Sequence, residues 1–128
     1  NNQTKHLSTL RKNLEQQDAI IGVPVSGKII FVNSKDILYL KAEGSYTNII
    51  KTDHKNILVS RNLRSFEDNL EFDKNFFRLH KSFIVNISYI SAIIKSNGGS
   101  VELINGEEIP ASPEKINEIL EVVRLRKR

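Results

Sequence analysis

From Lys28 onward, short apolar runs alternate with polar clusters of the kind that turn a chain. KIIFVN (28–33), DILYLKA (36–42), YTNIIK (46–51) and NILVS (56–60) are rich in β-branched and aromatic residues, and NSKD, EGS and TDHK separate them. Such residues fit a pleated surface, so the pattern predicts strands. The links between them are too short for helical crossovers, which makes the pairing antiparallel.

The period then lengthens. In RNLRSFEDNL, residues 61–70, Leu63, Phe66 and Leu70 recur on a helical spacing, and Ser60 is the expected N-cap. Further strands follow in SYISAIIKS and SVELI, joined by the turn NGGS and closed by NGEE before IPAS. Asn and Gly accept the positive φ that tight hairpins demand. A second helix ends the chain: Ser112 caps it, Pro113 takes its first position with Glu114 behind, and Ile116, Ile119, Leu120 and Val123 form its apolar stripe.

Before Lys28 the pattern is weaker. Residues 1–18 are polar, and Leu7, Leu10 and Leu14 make a thin helical stripe that either continues a helix from an upstream region or pairs with its own copy. GVPVSG (22–27) breaks any helix, because Pro24 restricts Val23 to extended geometry. The expected division is a linker or helical segment over 1–21, attached to a missing upstream region, and one folded domain over 22–128. The chain opens at Asn1 without methionine and is read as part of a longer protein.

One stretch resists this simple reading. FFRLHKSFIVN (76–86) is apolar at Phe76, Phe77, Leu79, Phe83, Ile84 and Val85, yet holds Arg78, His80, Lys81 and Ser82. An unpaired buried charge costs several kcal/mol. The pattern therefore reads as two core segments flanking a loop, with the cations at the rim. Donors anchored by large side chains on both sides form a platform suited to phosphate oxygens and base acceptors. The plain alternative for His80 is a bond to a backbone carbonyl that fixes the turn.

Composition narrows the function. The 128 residues carry a net charge of +4, with a basic RLRKR end, and a basic surface favours polyanions. Cysteine is absent, which removes disulfides and thiolate metal sites and fits a reducing cytoplasm. No apolar run is long enough to span a bilayer. Nothing matches a phosphate-binding loop, a dinucleotide fingerprint, a zinc-protease helix or a nucleophile elbow. His6, His54 and His80 are scattered, and Glu43, Asp53 and Glu107 sit in turns, so the chain is read as no enzyme, with no metal and no cofactor.

With these residues in view, FFRLHKSFIVN followed by SYISAI strongly resembles the signature of the LytTR-type DNA-binding domains, output modules of many bacterial response regulators. DILYLKAEGSYTNII, VSRNLRSFEDNL and INGEEIPAS resemble the family's early strand pair, its internal helix and its closing hairpin, so the resemblance covers about residues 25–123. It implies a mostly β fold: an elongated stack of small antiparallel sheets with one short internal helix and a C-terminal helix, here preceded by an N-terminal linker helix. Loops rather than a recognition helix would enter successive major grooves.

The resemblance also implies where contacts would come from. One segment maps to Ser45, Tyr46, Thr47 and Asn48, a second to Arg78, His80, Lys81 and Ser82, and a third to the turn entering the last helix, with Ser112 and Lys115. Asn48 suits adenine and Lys81 suits guanine, which makes them the best direct readers. Thr47 suits a thymine methyl or a phosphate, and Tyr46 reads as a packing residue with its hydroxyl toward a phosphate. Arg78 is either a phosphate clamp or paired internally with Glu43 or Asp73. The third segment departs from the family, which commonly has arginine after the serine where this chain has Pro113, Glu114 and Lys115.

The expectation is sequence-specific binding of double-stranded DNA by a transcriptional regulator, as the output domain of a two-component response regulator in the bacterial cytoplasm. It would act as a homodimer formed upstream, under a sensor histidine kinase acting on a receiver domain, without membrane contact. The competing class is a protein- or membrane-interaction module working through the RLRKR tail. Single-stranded RNA binding is disfavoured, because the nine aromatic residues fall mostly within apolar strand patterns.

Overall fold

The computed structural model describes residues 20–70 and 75–126. The stripe of Leu7, Leu10 and Leu14 lies outside the described residues. Ten strands form three antiparallel sheets among the described residues. The first is a hairpin of β1 (Ile20–Val25) and β2 (Lys28–Asn33). The second has five strands in the order β5-β4-β3-β7-β6, from β3 (Ile37–Glu43), β4 (Tyr46–Lys51), β5 (Ile57–Val59), β6 (Phe76–His80) and β7 (Phe83–Asn86). The third sheet, in the order β10-β9-β8, contains β8 (Ile90–Ile94), β9 (Ser100–Leu103) and β10 (Glu108–Pro110). Two α-helices accompany the sheets among the described residues, α1 (Leu63–Leu70) and α2 (Pro113–Arg126).

The central sheet separates two cores. On one face Leu40, Ile49, Val59 and Ile84 pack with Val23 and Val32 of the first hairpin and with Leu63 and Phe66 of α1. On the other, Tyr39, Leu79 and Val85 pack with Val101, Leu103 and Ile109 of the third sheet and with Ile116 and Ile119 of α2. Because side chains alternate along a strand, neighbouring apolar positions in the interior of the middle sheet fall to opposite cores, as Leu40 and Tyr39 do, while Leu58 at its end stays exposed. Irregular register between Ile37 and Tyr39 accompanies a change of side: Ile37 joins the first core, and Leu38 and Tyr39 join the second.

Buried polar groups tie the layers. Asn86 is 2% exposed; its amide donates to the carbonyl of Ile37 at 2.9 Å, and its oxygen accepts the Ser88 N–H at 3.0 Å. The asparagine ending the FFRLHKSFIVN stretch thus joins β7 to the start of β3 and opens the short 3-10 turn Ile87–Tyr89. The Tyr39 hydroxyl donates to Glu107 at 2.7 Å, linking the central sheet to the β9–β10 turn.

One local expectation is corrected and another is extended. The cap of α1 is Asn62 rather than Ser60: the Asn62 side-chain oxygen accepts the Ser65 N–H at 3.0 Å, and the helix begins at Leu63. Ser60 and Arg61 instead carry the chain out of β5. The GVPVSG segment holds Val23 in extended geometry, as Pro24 predicts. It lies mostly in β1, where Pro24 is tolerated because the strand pairs on one side with β2, and Ile21 enters the first core. Ser112 does cap α2, its hydroxyl accepting the Lys115 N–H at 3.3 Å.

Candidate nucleic-acid interface

The strand directions bring two turns together. β3 runs antiparallel to both β4 and β7, so the β3–β4 turn (Gly44, Ser45) and the β6–β7 turn (Lys81, Ser82) lie at the same end of the central sheet. The Ala42 N–H donates to the Ser82 carbonyl at 2.8 Å, joining the second turn to β3. Ser45, Tyr46 and Lys81 are exposed. Tyr46, expected to pack, is 46% exposed.

Just inside these turns, one rung crosses the whole sheet. Leu58 pairs with Asn48, Asn48 with Lys41, Lys41 with Phe83, and Phe83 with His80. Directly paired residues share a face, so these five side chains lie on the side of the second core; Phe83 packs against that core, and the other four lie outside it. Glu43 pairs with Tyr46 on the same side. Asn48 donates to the Glu43 carboxylate at 3.0 Å. Neither Lys41 nor Glu43 was anticipated as a site residue. The signal was present in the alternation: positions 41 and 43 fall on one side of β3, and the antiparallel partner of position 41 is Asn48.

The turn itself is held from inside. The Ser82 N–H donates to His80 Nδ1 at 3.1 Å, and the His80 ring lies 5.8 Å from that of Phe83, which in turn lies 6.0 Å from Tyr39. His80 therefore fixes the turn by accepting an N–H rather than by donating to a carbonyl. An accepting Nδ1 leaves Nε2–H as the donor of the neutral ring. The register slips between Arg78 and His80, which lets Leu79 stay 2% exposed in the second core while His80 faces Phe83.

Arg78 is internally paired, with Glu67; of the two partners expected, Glu43 bonds Asn48 instead and Asp73 lies outside the described residues. Its Nη1 lies 2.6 Å from Glu67 on α1, Nε donates to the His80 carbonyl at 2.9 Å, and Nη2 donates to the Lys81 carbonyl at 2.6 Å. Arg78 pairs with Ile84, whose side chain belongs to the first core, so it leaves the sheet on the α1 side. Thr47 is also on that side. It is 0% exposed and its hydroxyl donates to the Arg61 carbonyl at 2.8 Å, which gives it no surface toward a ligand in this conformation.

The third segment sits apart from the rung. Ser112 and Glu114 are exposed at the start of α2, while Lys115 Nζ lies 5.5 Å from the centre of the Phe77 ring and 3.6 Å from Glu118. Lys115 lines a shallow cleft with Glu67 and Arg78. The basic side chains after Val123 lie outside the described residues. Among the described residues, no helix is long and apolar enough to cross a membrane, and no group of three or more His, Cys, Asp or Glu side chains could hold a metal ion.

Comparison with known proteins agrees with this architecture. The profile of the LytTr DNA-binding domain matches residues 27–124. The sensory transduction protein LytT of Bacillus subtilis is 32% identical over 107 residues, covering 82% of this chain and 44% of that protein. The transcriptional regulatory protein BtsR of Escherichia coli is 24% identical over 115 residues, covering 87% of this chain and 46% of BtsR. The chain thus spans under half the length of these relatives. A solved LytTr DNA-binding domain of a putative methyl-accepting/DNA response regulator from Bacillus cereus superposes with a TM-score of 0.65 at 24% identity, covering 82% of this chain and 96% of that one.

Proposed function

We propose, from the premise that this chain belongs to the LytTr DNA-binding domain family, that it binds double-stranded DNA in a sequence-specific manner as the output domain of a two-component response regulator. The observation that carries the reading is the set of polar side chains Asn48, Lys41 and His80 on one rung beside the second core, bordered by the two turns that expose Ser45 and Lys81. Base edges are read by amide and cationic donors, while phosphate contacts set position. Asn48 and Lys81 are assigned to base edges; Ser45, Tyr46, Lys41, Ser82 and the His80 Nε2–H are assigned to the backbone. Ser112 and Lys115 form a flanking contact. Arg78 supports the turn from behind. No catalytic step is assigned to any of these residues.

In the whole protein, acting in the cytoplasm, an upstream receiver phosphorylated by a sensor histidine kinase would pair two copies on a repeated site. The second binding event then becomes intramolecular, and avidity rises without new contacts. The test is selection from a random duplex pool with the purified domain, followed by affinity for the enriched and scrambled sites across a salt series. A recurrent motif with a large enriched-to-scrambled ratio is the expected result. Equal binding to all duplexes, governed by salt alone, would refute base readout and leave only a charged surface.

A further inference from the structure

We infer that Glu43 is a specificity-determining positioning residue, an acidic side chain that orients Asn48 for an A·T pair at the cost of overall DNA affinity. The inference rests on the proposed DNA contact face, and it concerns a residue which by charge alone should not be there. Glu43 ends β3 beside the exposed Gly44–Ser45 turn, on the same side of the sheet as Lys41 and Asn48. A carboxylate there repels phosphate. Among the described residues it forms no ion pair, and its hydrogen bond is to the Asn48 amide, 3.0 Å from Oε2 to Nδ2.

That bond has a directional consequence. An ionised carboxylate only accepts, so it selects the amide rotamer that turns Nδ2 toward Glu43. One N–H is taken up, and the amide keeps its oxygen and its other N–H as an adjacent acceptor and donor. Adenine offers the complement in the major groove, a donor at N6 beside an acceptor at N7. Without the carboxylate, the amide turns over freely and its two ends exchange places, so the same side chain discriminates less. Lys41, paired across from Asn48, adds positive charge but no acceptor that could set the amide in this way.

The effects on affinity and preference therefore have opposite signs, which a merely structural residue would not produce. In the selected duplex and in variants substituted at each base pair, Glu43→Ala should tighten binding to every sequence while lowering the preference for A·T at one position by roughly tenfold, a loss of the size expected for one bidentate contact. Glu43→Gln removes the charge and can accept through its amide oxygen, although its NH2 can also donate to the flipped Asn48 amide, so it should tighten binding and retain part of the preference. Asn48→Ala should lose preference at the same base pair. Unchanged preference in Glu43→Ala, or preference lost equally in Glu43→Gln, overturns the inference. Failure of the unsubstituted domain to prefer any duplex would instead overturn the proposed function, and thermal unfolding of each variant checks that the fold is retained.

Discussion

Arg78 and Glu67 form an ion pair at 2.6 Å, and the same guanidinium holds the carbonyls of His80 and Lys81. One side chain thus fastens the turn carrying Lys81 to the helix behind the sheet. Its rigid fork suits several simultaneous acceptors, a task that lysine cannot reproduce.

The energetic weight should lie in the carbonyl bonds rather than in the ion pair. The Glu67 side chain is 45% exposed, so Glu67→Gln is expected to cost under about 1 kcal/mol of stability. Arg78→Ala strips donors from two carbonyls as well, and should cost about 1–3 kcal/mol. Urea unfolding of both variants at low and high salt measures this. The ratio of affinities for enriched and scrambled duplexes should also shrink in Arg78→Ala, because Lys81 loses its mounting. Equal destabilisation by the two substitutions would shift the weight to the ion pair.

Gly99 is needed for both its backbone and its size. It has φ +101, and a Cβ there would meet the Ala111 carbonyl oxygen at 2.6 Å and Ile116 Cδ1 at 2.9 Å. Gly106 has a similar φ of +92 but open space around it. Gly106→Ala is therefore expected to cost about 1–2 kcal/mol from backbone strain. Gly99→Ala should cost at least about 1 kcal/mol more, from the clash with backbone at the entry to α2. Parallel thermal unfolding of the two variants tests the difference.

Much of this arrangement was legible in the chain. NGG and NGE gave their hairpins because each needs positive φ at Asn or Gly, and Ser112-Pro113 announced α2 because cap and first turn are adjacent in sequence. What failed depended on distant geometry or on competing local options. Asn62 and Ser60 are both competent caps, and only the pairing of Val59 with Thr47 shows that the chain is still leaving a strand at Ser60. The partner of Arg78 lies 11 residues away, on an element whose side of the sheet no local pattern announces. Thr47 is a different case: treating 45–48 as one contact segment overlooks the pleat of YTNIIK, which puts Thr47 with the core residue Ile49 and Asn48 opposite.

The buried Tyr39 phenol gives a pH signature. Burial, chiefly, with the hydrogen bond to Glu107 and that carboxylate's negative charge, raises its pKa well above the ordinary 10.0. An unfolded chain therefore releases this proton at a pH where the folded one still holds it. The stabilising contribution is complete below about pH 10 and falls as pH climbs above it, by up to about 1.4 kcal/mol per unit. Denaturant unfolding between pH 8 and 11 should show a steeper decline for the unsubstituted domain than for Tyr39→Phe. Identical slopes would mean that the phenol ionises equally in both states.

The three side chains Lys81, Lys41 and Thr47 should separate into three behaviours. Lys81 is exposed at the turn and assigned to a base edge, so Lys81→Ala is expected to lose about 1–3 kcal/mol of discrimination at one base pair. Lys41 is exposed inside the rung and assigned to a phosphate. Lys41→Ala should weaken binding to all duplexes alike and reduce the salt slope by about one. Thr47 faces the core, where Thr47→Val keeps the shape but strands the Arg61 carbonyl, so that variant should lose about 1 kcal/mol of stability and keep its base preference. Binding isotherms over a salt series on matched and singly substituted duplexes, with urea unfolding alongside, distinguish the three. A changed base preference in Thr47→Val would show that β4 rearranges on DNA, while a uniform loss in Lys81→Ala would move base readout away from the β6–β7 turn.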